Sequence, residues 1–183
     1  MNTAVQPLAG SYTADPAHSS FQAQLRHMGV GTFQTGFDDV EARLAHGPDG
    51  PSLTGSARVE SITIKRPAEF RAHVVEGADF FDATRHPQIT FASTRLDLAA
   101  DGTVALDGLL DMRGQQHPIT ATGSYRAPVE DLYGGHRAAL DLTAEIDRRD
   151  WGMNFQAQLP RGGDVLSWTV TLTIHLELVA DPD

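Results

Sequence analysis

Near the C-terminus, apolar and polar residues alternate along the chain. From Leu166 the even positions are Leu166, Trp168, Val170, Leu172, Ile174, Leu176 and Leu178, and the odd ones are Ser167, Thr169, Thr171, Thr173, His175 and Glu177. Successive side chains of a strand point to opposite faces, so this period of two predicts one long strand over 166–178 with its even side chains inward. The pattern recurs upstream. Leu140, Leu142, Ala144 and Ile146 alternate with Asp141, Thr143 and Glu145, and Ile119, Ala121, Gly123 and Tyr125 with Thr120, Thr122 and Ser124. Val104 to Met112 keeps its even positions apolar, with Leu109 interrupting the polar face, and shorter runs cover Phe21 to Leu25 and Val40 to Leu44.

Two segments change phase. The apolar side is odd at Leu53, Ala57 and Val59 but even at Ile62 and Ile64; it is odd at Ile89 and Phe91 but even at Leu96 and Leu98. A flip of phase within a strand predicts a bulge or a sharp bend. One helix is expected between these segments. Pro67 suits its first turn, Glu69 complements the positive end of its dipole, Phe70 and Val74 share a face four residues apart, and Gly77 ends it.

The expected fold is therefore all-β: about eight antiparallel strands, each with one apolar face, plus one short helix. Such strands pack as a sandwich or close as a barrel, and periodicity alone does not choose. The small residues on the inward lists, among them Ala23, Ala42, Ala57, Gly108, Ala121 and Ala144, leave room inside and favour a barrel with a ligand cavity.

Composition narrows the functions. The chain has 183 residues, 40% of them hydrophobic and 21% charged, which suits one globular domain. No linker or repeat divides it; the expected organisation is a flexible segment over 1–10, the barrel over 11–179 and a short tail over 180–183. With no cysteine, disulfides, thiolate nucleophiles and Cys-ligated zinc are excluded. A net charge of −10 opposes binding to nucleic acid and to anionic membrane surfaces. Of the 14 basic residues, Lys65 is the sole lysine, a bias of composition. The opening MNTAVQPLAG lacks a basic region followed by an apolar one, and no apolar run is long enough to cross a membrane. The chain as it stands is expected in the cytoplasm; a trimmed mature form would place it in the periplasm or outside the cell.

Several stretches, in order, resemble the YceI family. Tyr12-Thr13-Ala14-Asp15-Pro16-Ala17-His18-Ser19-Ser20 is similar to that family's opening signature, and Arg26-His27-Met28 to the piece that follows. Phe33 to Phe37 (FQTGF) matches its G-x-F turn. Ser61-Ile62 with Arg71-Ala72-His73 echoes its helix region, the poorest match. Ala78-Asp79-Phe80-Phe81-Asp82 and His86-Pro87-Gln88-Ile89-Thr90-Phe91-Ala92-Ser93-Thr94 match two further elements, with His86 where an aromatic is usual. Gly108-Leu109-Leu110-Asp111-Met112-Arg113-Gly114 and Arg148-Arg149-Asp150-Trp151-Gly152-Met153 complete the series, with Asp111 in place of Thr. The resemblance runs from Tyr12 to Leu178. It implies a lipocalin-like barrel holding a long apolar ligand, such as a polyisoprenoid, an isoprenoid quinone or a fatty-acid-like chain, and a tendency to form dimers.

Candidate ligand contacts are the aromatic residues and methionines Phe21, Met28, Phe33, Phe37, Phe70, Phe80, Phe81, Phe91, Met112, Trp151, Met153, Phe155 and Trp168, joined by the inward aliphatics Leu25, Val74, Ile119, Ala121, Leu142 and Leu172. Taken singly, a buried aromatic is more often plain packing, but Met and Phe as a set adapt well to flexible chains. Arg148 or Arg149 is a candidate partner for a ligand head group at the barrel rim. No His-x-x-x-His or Glu-x-x-His spacing suggests a metal, and His18, His27, His73, His86 and His117 read as solvated or hydrogen-bonded imidazoles, with His46 and His136 in turns. No G-x-S-x-G elbow supports a hydrolase. The expected activity is binding, transport or sequestration of a long-chain lipid, with no resident cofactor. The alternative is an enzyme using the same cavity, with His73, Arg71 and Asp79 as its candidate groups.

Overall fold

The computed structural model describes residue 8 and residues 10–182. The expected flexible segment over 1–10 therefore lies mostly outside the described residues, but Leu8 is within them and is buried in the main core.

Among the described residues, ten strands form one antiparallel sheet: β1 (Ser11–Ala14), β2 (Ser20–His27), β3 (Gly31–Phe37), β4 (Val40–Gly47), β5 (Gly50–Arg58), β6 (Gln88–Leu98), β7 (Thr103–Met112), β8 (Gln115–Glu130), β9 (His136–Asp147) and β10 (Thr169–Ala180). The short β1 closes it. One edge of β1 pairs with β4 (Tyr12 opposite Leu44) and the other with the end of β10 (Tyr12 opposite Ala180), so β1 and β4 to β10 form a ring of eight. The β2–β3 hairpin continues the wall, because β2 takes up the edge of β10 where β1 leaves it (Leu172 opposite Ala23, Ile174 opposite Phe21). Closure satisfies the edge groups that an open sheet would leave unpaired.

The even side chains of β10 face inward, as the alternation requires, but the strand begins at Thr169 rather than Leu166. Leu166 makes only an isolated bridge to His27, and Trp168 lies outside the ladder. The strand also runs to Ala180, into the expected tail. The two phase flips have different causes. That in β6 is a register irregularity between Ser93 and Arg95 in its pairing with β7. That in 53–64 is no bulge: β5 ends at Arg58 and a 3-10 turn over Val59–Ser61 redirects the chain. Phe33 to Phe37, which resembled a turn, is strand β3, and His46 and His136 lie at strand ends.

Helix α1 (Ala68–Glu76) starts one residue after Pro67, its N-cap, and stops at Gly77. Gly77 is needed for space rather than for a left-handed turn: an added Cβ would lie 2.5 Å from the His73 carbonyl oxygen. The helix covers one end of the barrel, where Val74, Val75, Ile62, Phe80, Ala83 and Leu166 form one apolar cluster. The opposite end is packed solid around Leu8, Tyr12, Leu44, Leu140, Leu176 and Leu178.

Candidate ligand cavity

Between the solid end and the helix-covered end the barrel encloses a cavity of about 200 Å³. All of the strands except β1 contribute to its wall, mostly through their inward faces, with Gln22, Thr54, Ser56 and Thr90 of the other phase also reaching it. On β2 the inward wall residues are Phe21, Ala23 and Leu25, beside Gln22 of the other phase, and on β10 they are Val170, Leu172, Ile174 and Leu176. The inward face is apolar because every second residue of these strands is apolar, and the space exists because several of those residues are small. An apolar cavity of roughly 150 Å³ already stays dry and takes up small hydrocarbons.

Of the residues singled out from the sequence, Phe21, Leu25, Phe33, Phe37, Val74, Phe80, Phe81, Phe91, Met112, Ile119, Ala121, Leu142, Met153, Leu172 and Arg148 line this cavity. Five do not. Met28 sits exposed in the β2–β3 turn with φ of 51°. Phe70 packs edge-on against Phe33 with ring centres 5.6 Å apart, one layer behind the wall. Phe155 stacks on Phe80 at 4.9 Å, also behind it. Trp151 is 1% exposed and donates its indole N–H to the Leu110 carbonyl at 3.1 Å, so it is core beneath the wall. Trp168, outside strand β10, lies half-buried under two guanidinium groups. Wall residues that had not been singled out, such as Val170, Ile174 and Leu106, carry the same inward phase as those that had.

Among the described residues, Arg148 is the one charged residue in the wall. It opens a 3-10 turn over Arg148–Trp151 that follows β9, nucleated by the Asp147 carboxylate accepting from the Arg149 backbone N–H at 3.0 Å and terminated by Gly152 at φ 69°. The expected place for Arg148 was the rim. It is instead 3% exposed and faces inward, while Arg149 points out and pairs with Asp147. Arg148 Nη1 donates to the Met153 carbonyl at 2.6 Å and Nε to the Ser167 carbonyl at 3.0 Å. Its guanidinium carbon lies 4.3 Å from the centre of the Trp168 ring. Nη2 is buried with no hydrogen-bond partner among the described residues. Burial pushes the guanidinium pKa down from its ordinary value, yet an arginine stays protonated at any physiological pH.

A second, polar groove of about 370 Å³ adjoins the cavity where the β1–β2 and β3–β4 connections interrupt the wall. Pro16, Ser19, Gln34, Asp38 and Thr63 line it, and the cross-strand pair Phe21 and Phe37 belongs to both spaces.

The candidate enzymatic groups lie elsewhere. His73 bonds Asp79 at 3.0 Å on the outside of α1, and Arg71 pairs with Glu60 at 3.0 Å; none of the three lines the cavity. Asp15, His18 and Glu177 bring their ligand atoms together, but Arg137 already bridges both carboxylates, at 2.8 and 2.6 Å, so the group is an ion-pair cluster.

A closed antiparallel barrel with one covering helix and an apolar lumen defines a lipocalin-like protein. Residues 12–178 match the model of the YceI-like domain, and the chain belongs to that family. A UPF0312 protein of Pseudomonas putida is 25% identical over 180 residues, covering 96% of this chain and 89% of the relative. A UPF0312 protein of Vibrio cholerae is 26% identical over 151 residues, 79% of this chain and 78% of its own. Among solved structures, Burkholderia cenocepacia BcnA superposes with a TM-score of 0.72 at 21% identity, over 92% of this chain and 99% of BcnA. A polyisoprenoid binding domain from Saccharophagus degradans, implicated in plant cell wall breakdown, gives 0.70 at 14% identity, over 95% of this chain and all 100% of that one. These likenesses agree on the fold.

Proposed function

We propose that the protein binds and carries a long-chain apolar lipid in its lumen. The carrying observation is the cavity itself, about 200 Å³ walled on nearly all sides by hydrocarbon side chains from nine strands and a helix. At roughly 0.8 kcal/mol per buried CH₂-sized group, one isoprene unit gains a few kcal/mol, so tail length dominates affinity. The structural likeness to a polyisoprenoid binding domain supports the same class. The test is native mass spectrometry of protein purified without detergent, with lipid extraction alongside. The expected result is a protein-bound long-chain lipid, or uptake of an added polyprenol or quinone; protein that neither carries nor accepts one would end the reading. Two parts of the proposal rest on the sequence alone: a homodimeric state, which light scattering measures, and a cytoplasmic location, which fractionation of the producing cells measures.

A further inference from the structure

Both ends of the lumen are closed. One is packed solid around Leu44, Leu140 and Leu178, and α1 with Ile62 and Phe80 covers the other. The side wall, however, has a seam. Strand β3 is the last of the sheet and has β2 as its one ladder partner among the described residues. Its far edge is held by the chain that follows the Val59–Ser61 turn. The Gly36 backbone N–H donates to Thr63 Oγ1 at 2.9 Å, the Thr63 N–H to the Gly36 carbonyl at 2.9 Å, and the Asp38 N–H to the Ser61 carbonyl at 3.0 Å. A few bonds at a strand edge open more readily than a full ladder. The polar groove lies on this seam. Phe21, Gln22, Thr35 and Phe37 line both the groove and the cavity, so one layer of side chains separates the two spaces. The Phe21 ring spans much of that layer: its Cζ lies 3.9 Å from where a Cβ of Gly55, on β5, would stand.

Resting on the proposed lipid binding, we infer that the groove is both the doorway of the lumen and the site of the ligand's head, and that it takes an uncharged alcohol or carbonyl. The β2–β3 hairpin parts from Thr63, the tail passes between Phe21 and Phe37, and the head stays outside them. The lumen offers such a head nothing: its wall is nearly all hydrocarbon, and the Arg148 Nη2 atom is out of reach even of water. A polar oxygen buried there would go unpaired, which is costly. In the groove it meets neutral partners of both kinds. Gln34 Nε2 donates to Gln22 Oε1 at 2.6 Å, which leaves the Gln34 carbonyl to accept and the Gln22 amide to donate, and the Ser20 hydroxyl does either. Among the described residues the one charged side chain of the groove is the Asp38 carboxylate. It repels a phosphate or diphosphate head, and no cation lines the groove to offset it.

The experiment titrates delipidated protein with decan-1-ol and decyl phosphate, which share a tail, by calorimetry near neutral pH. The alcohol is expected to bind about tenfold tighter or more, and Asp38→Asn to bring the two within about threefold of each other. Equal affinities in the unaltered protein would overturn the uncharged head while leaving lipid binding in place; no binding of either would overturn both. The place of the head is read on unaltered protein from nuclear Overhauser effects of the protons on the alcohol's hydroxyl-bearing carbon. Contacts with the Gln34 side-chain amide or the Thr63 methyl are expected; contacts with α1 or with the Leu178 end instead would overturn the groove as the head site. The doorway is tested by a cross-link, which a chain without native cysteine makes clean. The Thr35 and Thr63 hydroxyls stand 3.4 Å apart, so Thr35→Cys with Thr63→Cys places a disulfide across the seam. In stopped-flow mixing read by tryptophan fluorescence, the oxidised variant is expected to take up decan-1-ol about tenfold more slowly, or worse, than the same protein after reduction. Equal rates in the two forms would overturn the doorway.

Discussion

The Phe91 ring occupies the place a side chain at Gly108 would take: a Cβ added to Gly108 would lie 2.3 Å from the ring's Cζ and 2.7 Å from the Ala92 carbonyl oxygen. Gly108 stands on β7 and Phe91 on the adjacent β6, so the absence of a side chain on one strand lets the aromatic of its neighbour lie flat on the wall. Gly108→Ala is expected to drive the ring into the cavity, with a stability loss of about 1–3 kcal/mol from overpacking and weaker lipid uptake. Gly123→Ala is expected to cost more, because its Cβ would meet the backbone oxygen of Asp141 at 1.7 Å, and a paired backbone cannot rotate away as a ring can. Urea midpoints of the two variants check the order; a larger loss in Gly108→Ala would contradict it.

Two alanines separate packing from lumen. Ala121 lies in the wall and is buried within the packed cluster with Leu106 and Leu140, whereas Ala23 lines the same cavity but is only partly buried, at the margin of the cluster around Ile146 and Val170. Ala121→Trp is expected to overpack, losing about 1–3 kcal/mol or more. Ala23→Trp is expected to occupy the space of a ligand, lowering bound lipid per folded molecule at a smaller cost in stability. Thermal unfolding measured beside extracted lipid decides this. Unchanged lipid content in a folded Ala23→Trp variant would refute an open lumen at that position.

Much of this wall was legible in the alternation. Leu172 was identified because its strand keeps one phase over many residues, and Val170 and Ile174 follow from the same phase. Alternation, however, reports which face a residue is on, not how many layers deep it lies. Trp151, Phe70 and Phe155 have the composition of a lipid site but occupy the shell behind it, since turns and the helix carry them rather than the strands. Trp168 continues the even phase of β10 for one residue beyond the ladder, where the chain has already left the sheet. Arg148 looked like a rim residue because a charge in a turn is usually solvated. Its burial depends on the nearby Met153 carbonyl and on the Ser167 carbonyl, which a later part of the chain brings back and which no local pattern encodes.

The two tryptophans should differ in what they contribute. Trp151 is buried and donates to Leu110, so Trp151→Phe loses a buried hydrogen bond together with ring volume, an expected cost of about 1–3 kcal/mol. Trp168 is half-buried and its ring mainly stacks on Arg148 and Arg149, so Trp168→Phe, which keeps an aromatic face, is expected to cost less than about 1 kcal/mol. Chemical denaturation ranks them, and a Trp168→Phe loss equal to that of Trp151→Phe would show that the outer ring is part of the core.

Acid should weaken the closure of the barrel at one identifiable place. Arg137 on β9 reaches Asp15 after β1 at 2.8 Å, Glu177 on β10 at 2.6 Å and Asp131 in the β8–β9 turn at 3.2 Å. Asp15 holds its carboxyl far below the usual range, chiefly through the Arg137 hydrogen bond, then through His18 and the Ala17 backbone N–H. A carboxyl whose pKa is lower folded than unfolded contributes stability above its unfolded pKa, near 3.9, and that contribution is lost as pH falls toward the folded value. His18 works in the opposite sense: Asp15 first, and then Glu177, raise its pKa, so its contribution is present at pH values below about 6.5 and fades as pH rises through the raised value. Arg137→Gln removes the main cause of the Asp15 shift and leaves three carboxylates facing one another. The variant is therefore expected to be less stable than the parent at pH 7, with the gap narrowing as pH falls from about 4 to about 2, because the unfolded chain takes up the Asp15 proton there while the folded parent, its Asp15 carboxyl held far below the usual range, does not. The gap at pH 7 should also depend on salt, because the cluster is only partly buried. Urea midpoints of the two proteins across that range give the answer, and a gap that stays constant down to pH 2 would mean that Arg137 acts there through packing rather than charge.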